Sequence, residues 1–315
     1  SVTVVAPRQP GNNGSSTVCS SSGSLNLFTL LGGDPETGGT WSPGTGVYNP
    51  PVNDPGVFTY TLTGTGPCPN ASATVTVVEV AAPIPGNPAT TTVCSSDGPF
   101  NMTLRLGGSP QAGSWSFGGA PHSNIFVPQV DAPGVYIHTV PGSGPCSSAT
   151  ASLTVNVNQA ANAGGNGDTT VCSNSTSFVL FDLLTGNPTP GGTWTRPGPV
   201  GHSGFYQPPV DAPGDYTYTV VGTSPCPADI AIVTVTEHAR PLAGTSGSTT
   251  LCAGGANVNL ITVLGGTPGS GGTWTGPAPA TTVFNGLFIP GVTAPGTYTY
   301  TVTGPSPCAN ATAQA

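Results

Sequence analysis

The sequence predicts an all-β chain of four tandem sandwich modules, on three observations: a fourfold internal repeat, strands that alternate every second residue, and Gly/Pro turns between them. The triplet Thr-(Val/Leu)-Cys recurs at Cys19, Cys94, Cys172 and Cys252, and a Trp follows at a nearly constant distance, at Trp41, Trp115, Trp194 and Trp274. A Pro-Gly turn then leads into a Tyr-rich strand. The Gly of that turn (Gly56, Gly134, Gly214, Gly296) precedes a second Cys (Cys68, Cys146, Cys226, Cys308) by the same interval every time. The modules are read as 6–81, 82–158, 159–238 and 239–315, with residues 1–5 a separate strand.

Each module opens with a strand carrying the first Cys. "SLNLFTLLGG" and its counterparts "PFNMTLRLGG", "SFVLFDLLTG" and "NVNLITVLGG" read as one strand, and "GGTW" as the start of another. "GTYTYTV" puts Tyr298, Tyr300 and Val302 on one face. "ASATVTVVEV" closes the module with Val75 and Val77 inward, matched by "ASLTVNV" and "AIVTVT". Short strands with no helical period are packed as a sandwich in each module. The polar, Pro- and Gly-rich linkers between them are too short for free bending.

"SVTVV" at residues 1–5 is a strand without a sheet. The fourth module ends as "PCANATAQA", where the first has "PCPNASATVTVV", so it lacks most of its closing strand. Val2 and Val4 are matched to Val75 and Val77. A sandwich left open exposes an unpaired edge and an apolar groove. Two explanations stand: the sequence is a window on a longer covalent repeat array, or Val2, Val4 and Val5 of each chain enter the next chain's fourth module beside Ala311 and Ala313. The second is strand complementation, which builds open filaments.

Charged side chains are 5% of the chain, with 47 Gly, 36 Pro, four Lys+Arg and a net charge of −8. The four Arg are scattered, which excludes a phosphate-tracking nucleic-acid surface. No apolar run approaches the roughly 20 residues that cross a bilayer, so membrane insertion is not expected. Eight Cys, an even set in a regularly repeating pattern, indicate disulfides and an oxidising, extracellular setting. Pairing within modules, Cys19 with Cys68, Cys94 with Cys146, Cys172 with Cys226 and Cys252 with Cys308, closes loops of roughly 50 residues worth about 4 kcal/mol each. Bridges between neighbouring modules remain the alternative. No Cys or His cluster has metal-ligand spacing, so no cofactor or metal is expected.

His122 and His202 read as exposed loop residues without a fixed acidic partner, His138 as a partly buried substitute for an inward Tyr, and His238 as a linker residue. Asp54, Asp131 and Asp211 read as caps of their own turns, with Thr293 in the same place. No recurring constellation suits nucleophilic or paired-carboxylate catalysis, and no enzyme is expected. Asn13, Asn70, Asn101, Asn174 and Asn310 begin Asn-x-Ser/Thr triplets, and Thr169 lies in Asp-Thr-Thr; these are candidate sugar sites on a chain that needs solubility without charge. The segment between Trp and the Pro-Gly turn varies in length from module to module while its flanks hold their spacing. Its aromatic residues, Phe205 and Tyr206 or Phe284 and Phe288, are candidates for sugar binding.

"VCSNSTSFVLFDLLTGNPTPGGTWT" followed by "GDYTYTVVGTSPCPADIAIVTVT" resembles the tandem Ig-like repeats of very long secreted surface proteins of Bacteroidota, which often end in a gliding-motility-associated, type IX secretion sorting domain. The resemblance runs through all four modules at the Cys, Trp, Pro-Gly and Tyr positions and implies Ig-like sandwiches on a bacterial cell surface. The expected function is a non-enzymatic subunit of an extracellular filament or pilus-like fibre, with copies of itself as partners; the alternative is an adhesin binding glycans or surfaces through the variable loops.

Overall fold

The computed structural model describes residues 1–277 and 283–315, and the side chain of Val283 is excluded from the description. Part of the fourth module's variable loop, which falls on residues 278–282, lies outside the described residues. The chain is all-β, with tandem Ig-like sandwiches, and divides into two compact units, Ser1–Gln159 and Ala160–Ala315. Each holds two separate cores.

The first module shows the plan. Its strands are β1 (Gly14–Cys19), β2 (Leu25–Asn26), β3 (Thr40–Ser42), β4 (Val47–Tyr48), β5 (Gly56–Leu62) and β6 (Ala71–Val80). One sheet has the order β1-β6-β5-β3, with β1 parallel to β6 and the other pairs antiparallel, while β2 and β4 form a small ribbon. Alternation along β6 buries Ala73, Val75 and Val77, and along β5 it buries Phe58, Tyr60 and Leu62. These residues meet Leu27, Leu31 and Tyr48 in one core. The second and third modules repeat the plan and add an edge strand, Ala120–His122 and Val200–His202.

The Gly two residues before each Trp has a packing reason. Tyr60 donates its hydroxyl to the Glu36 carbonyl and accepts from the Gly39 amide. A Cβ on Gly39 would lie 2.5 Å from the Tyr60 ring, so only glycine lets the hairpin close over the tyrosine. Tyr218 and Tyr300 likewise accept from the Gly192 and Gly272 amides and donate to the Thr189 and Gly269 carbonyls. In the second module His138 takes this place. It is fully buried, stacks on Trp115 at 4.9 Å and bonds through Nδ1 to the Pro85 carbonyl.

The stretch read as one long strand, "SLNLFTLLGG", is instead the two-residue β2 followed by a 3₁₀ turn, Leu27–Leu30. Leu27 and Leu31, four residues apart, are the buried pair. Asn26 starts the turn by accepting the Phe28 amide on its side chain, and Asn101 and Asn259 do the same for Thr103 and Ile261.

Disulfides do not close single modules. Cys19 bonds Cys146 in the first unit and Cys172 bonds Cys308 in the second, each with Cα atoms 5.0 Å apart. Cys94 and Cys226 are each disulfide-bonded as well, and Cys68 and Cys252 carry free thiols. The parallel pairing explains the correction. It sets Cys19 opposite Val80, at the trailing end of β6, whereas Cys68 precedes the leading end at Ala71. The whole length of β6 therefore separates the two cysteines, roughly 30 Å at a rise of about 3.3 Å per residue. The neighbouring module's second Cys is the one within reach.

Candidate assembly site at the open end of the fourth module

In the first three modules two successive inward residues of the closing strand fill the core: Val75 and Val77, Leu153 and Val155, Val233 and Val235, all buried. The fourth module forms the leading part of this strand, Ala311–Gln314, paired with Thr299–Val302. Ala313 is buried at the place of Ala73. Ala315 stands at the place of Val75 and exchanges both main-chain bonds with Tyr298, at 2.9 Å each. Beyond it lies a cavity of about 520 Å³ lined by Leu251, Leu260, Phe288, Gly296, Tyr298 and Ala315.

The loss of pairing spreads to the neighbouring strand. Gly247 reaches the Gln314 carbonyl at 2.9 Å, yet residues 248–252, the counterparts of Ser15–Cys19, form no strand. Leu251 is 36% exposed where Val18, Val93 and Val171 are 9%, 5% and 8% exposed. The open space therefore lies past Ala315, between 248–251 on one side and Gly296–Thr297 on the other. Ala311 and Ala313 are not beside it.

Residues 1–5 carry no regular structure, and Val2 and Val4 are 94% and 88% exposed. Val5 fixes their register. Its carbonyl lies 3.6 Å from Cys68 Sγ, as the Val80 carbonyl lies 3.5 Å from Cys146 Sγ and the His238 carbonyl 3.5 Å from Cys308 Sγ. Val5 is thus the counterpart of Val80. Counting back, Val2 corresponds to the buried Val77 and Val4 to Glu79, two positions on from the match the sequence suggested.

The position of Glu79 has its own chemistry. Tyr48, buried beneath it, donates its hydroxyl to Glu79 Oε2 at 2.7 Å, and burial followed by this bond pushes the phenol up to about 12. In the third module Tyr206 donates to Glu237 Oε2 at 3.0 Å and is likewise raised, first by burial. The second module has Phe126 in place of the tyrosine and Val157 in place of the glutamate, packed on the same core. Tyrosine goes with glutamate, and phenylalanine with valine. The fourth module has Phe288, half-buried at the edge of the cavity. Sequence reasoning missed this pairing; the signal was the matched Tyr/Phe and Glu/Val choices in aligned modules.

The other sequence candidates fall elsewhere. His122 and His202 each face an aspartate of their own module, Asp131 at 3.2 Å and Asp211 at 3.5 Å, and pack on Tyr136 and Tyr216. They are not free loop residues, because the extra edge strand folds each ring onto the sheet. The same aspartates cap their turns by accepting the Val127 and Gln207 amides, and Thr293 accepts from Ile289. In the first module the cap is Asn53 and not Asp54, since Asn53 is the residue four past the accepted amide of Asn49. His238 ends its strand and bonds the Ser306 carbonyl. Tyr206 is core and Phe284 and Phe288 pack on Tyr298, so of the proposed sugar-binding aromatics only Phe205 is exposed.

Among the sugar candidates, Asn13, Asn70, Asn101 and Asn310 use their side-chain oxygens to accept the amides of Thr74, Gly64, Thr103 and Gly304. Asn174 is exposed in a turn, and Thr169 lies half-buried on Gly167–Cys172. No group of three or more His, Cys, Asp or Glu that could hold a metal occurs among the described residues. Among those residues, too, no helix is long and apolar enough to cross a membrane.

No protein-family model matches the chain, and no curated protein matches it. Solved structures that align with the chain include tandem Ig-domain chains. A three-domain I-band fragment of titin aligns at 12% identity over 74% of this chain and 99% of its own, with a TM-score of 0.37. Sidekick-1 immunoglobulin domains 1–5 align at 13% identity over 96% and 79%, with a TM-score of 0.29. The N-terminal four Ig domains of a Dscam1 isoform align at 12% identity over 98% and 97%, also at 0.29.

Proposed function

We propose that this chain is a structural subunit of an extracellular fibre, and that Ser1–Val5 of one copy completes the fourth module of the next. The observation that carries this reading is the cavity past Ala315, which lies where Val77, Val155 and Val235 sit in the other modules. Val2 supplies the valine for it. Val4 then meets Phe288, repeating the apolar combination of the second module. Ser1–Val5 pairs with 248–252 on one side and Gly296–Thr297 on the other, so a five-residue strand gains two neighbours at once. The contact is head to tail and does not close, which yields filaments. The disulfides fit an oxidising, extracellular location, and the resemblance to secreted repeats of Bacteroidota favours a bacterial surface.

The test is Val2→Asp combined with Val4→Asp. The expected outcome is folded monomer, by circular dichroism and sedimentation, with no fibres by electron microscopy. Undiminished fibres would sink the reading. Native fibres run on a reducing, denaturing gel give single chains under strand exchange, whereas a much longer polypeptide would make the array covalent and overturn it.

A further inference from the structure

We propose that Cys252 of one copy and Cys68 of the next form an intermolecular disulfide that locks the inserted strand; the inference rests on the strand exchange described above. Both bridges resolved within the units obey one rule. The Cys that ends a module's first strand bonds the second Cys of the following module, Cys19 to Cys146 and Cys172 to Cys308. Cys252 is of the first kind and Cys68 of the second, and these two are the free thiols among the described residues.

The Cys68 half of the missing bridge already has its geometry. Cys146 Sγ lies 3.5 Å from the Val80 carbonyl and 3.6 Å from that of Ala81, and Cys308 Sγ lies 3.5 Å and 3.7 Å from those of His238 and Ala239. Val80 and His238 are the residues that stand opposite Cys19 and Cys172 in the parallel pairing. Cys68 holds the same position against Val5, at 3.6 Å. The turn ahead of the cysteine agrees: a Cβ on Gly144 would lie 3.6 Å from the Val80 side chain, and one on Gly66 4.0 Å from that of Val5. Cys68 is therefore carried on Val5 as Cys146 is carried on Val80. Setting Val5 opposite Cys252 brings the two sulfurs together.

The bond forms by thiol–disulfide exchange with a disulfide oxidant of the surroundings, for instance oxidised glutathione. The Cys252 thiolate attacks that disulfide, giving a mixed disulfide and releasing one thiol. The Cys68 thiolate then attacks Cys252 Sγ and releases the second thiol. The oxidant takes up two electrons and the two cysteine protons, and one new S–S bond joins the chains. Insertion of the strand comes first and raises the effective concentration of the pair.

The experiment assembles purified protein with oxidised glutathione, blocks remaining thiols by alkylation, and runs denaturing gels without reductant. Wild-type protein gives a ladder of chain multiples that collapses to the single chain on reduction. Cys68→Ser and Cys252→Ser each stay single, yet their equal mixture gives a species of twice the chain mass and nothing longer, because every two chains hold one usable pair. Single chains from intact wild-type fibres, or dimers from either variant alone, overturn the disulfide and leave strand exchange standing. Fibres and a ladder that both survive in the Val2→Asp, Val4→Asp protein overturn the two together.

Discussion

At the scale of single residues, the pairing of Tyr48 with Glu79 and of Tyr206 with Glu237 turns one position of the closing strand into a choice between polar and apolar partners. Phe288→Tyr would set a hydroxyl against Val4 with nothing to accept it. A buried, unpaired hydroxyl costs about 1–3 kcal/mol, so assembly should weaken by roughly 5- to 150-fold in sedimentation, at about tenfold per 1.4 kcal/mol. Val4→Glu alone should weaken it too, and the two together should restore most of it. Independent, additive losses would show that the two side chains do not meet. Tyr48 predicts a pH effect as well. Its folded phenol titrates near 12 against an ordinary value of 10.0, so the fold favours the neutral form. That contribution is complete below pH 10.0 and is lost as pH rises through about 12. Phenolate absorbance should show Tyr48 and Tyr206 ionising last or with unfolding, and Tyr48→Phe should reduce the amplitude of that late step without abolishing it. The cap at Asn53, one residue before Asp54, shows why such choices were partly hidden in the sequence. Asx turns depend on a four-residue reach, and two adjacent polar residues leave the reach ambiguous.

Elements were legible where one face meets the core and the other meets solvent. Alternation in "GVFTYTL" and "ASATVTVVEV" is that of β5 and β6, because both lie in a sheet buried on one side. It failed for "SLNLFTLLGG", where Leu25 and Leu27 fit a strand but Leu27 and Leu31 fit a turn. A side chain that accepts an amide two residues on supports the turn in the first, second and fourth modules. Asn101→Ala removes that acceptor in the second module and should cost about 1 kcal/mol, readable as a lower unfolding midpoint. The third module provides a comparison, since Val179 in the same place makes no side-chain cap. The cavity was legible only as a shortened strand. Its location past Ala315 needed the main-chain bonds of Ala315 to Tyr298, which fix how far the sheet extends.

At the scale of the whole chain, the pairing of cysteines was the larger surprise, because two cysteines recurring in every module suit closure within modules as well as between them. What decides it is the parallel first strand, which delivers Cys19 and Cys172 to the trailing end of their modules. These bridges span sequence separations of 127 and 136. A pull on the two ends of the chain therefore travels along the first strand, crosses a sulfur–sulfur bond, and passes over most of the polypeptide. The residues between the bridged cysteines bear no tension even if their modules melt. In single-molecule stretching the oxidised protein should show no long release of chain, while reduction should free each module to add on the order of 25 nm, at about 3.5 Å per residue. Under load such a chain changes little in length while its bridges hold, and domain unfolding cannot serve it as a spring.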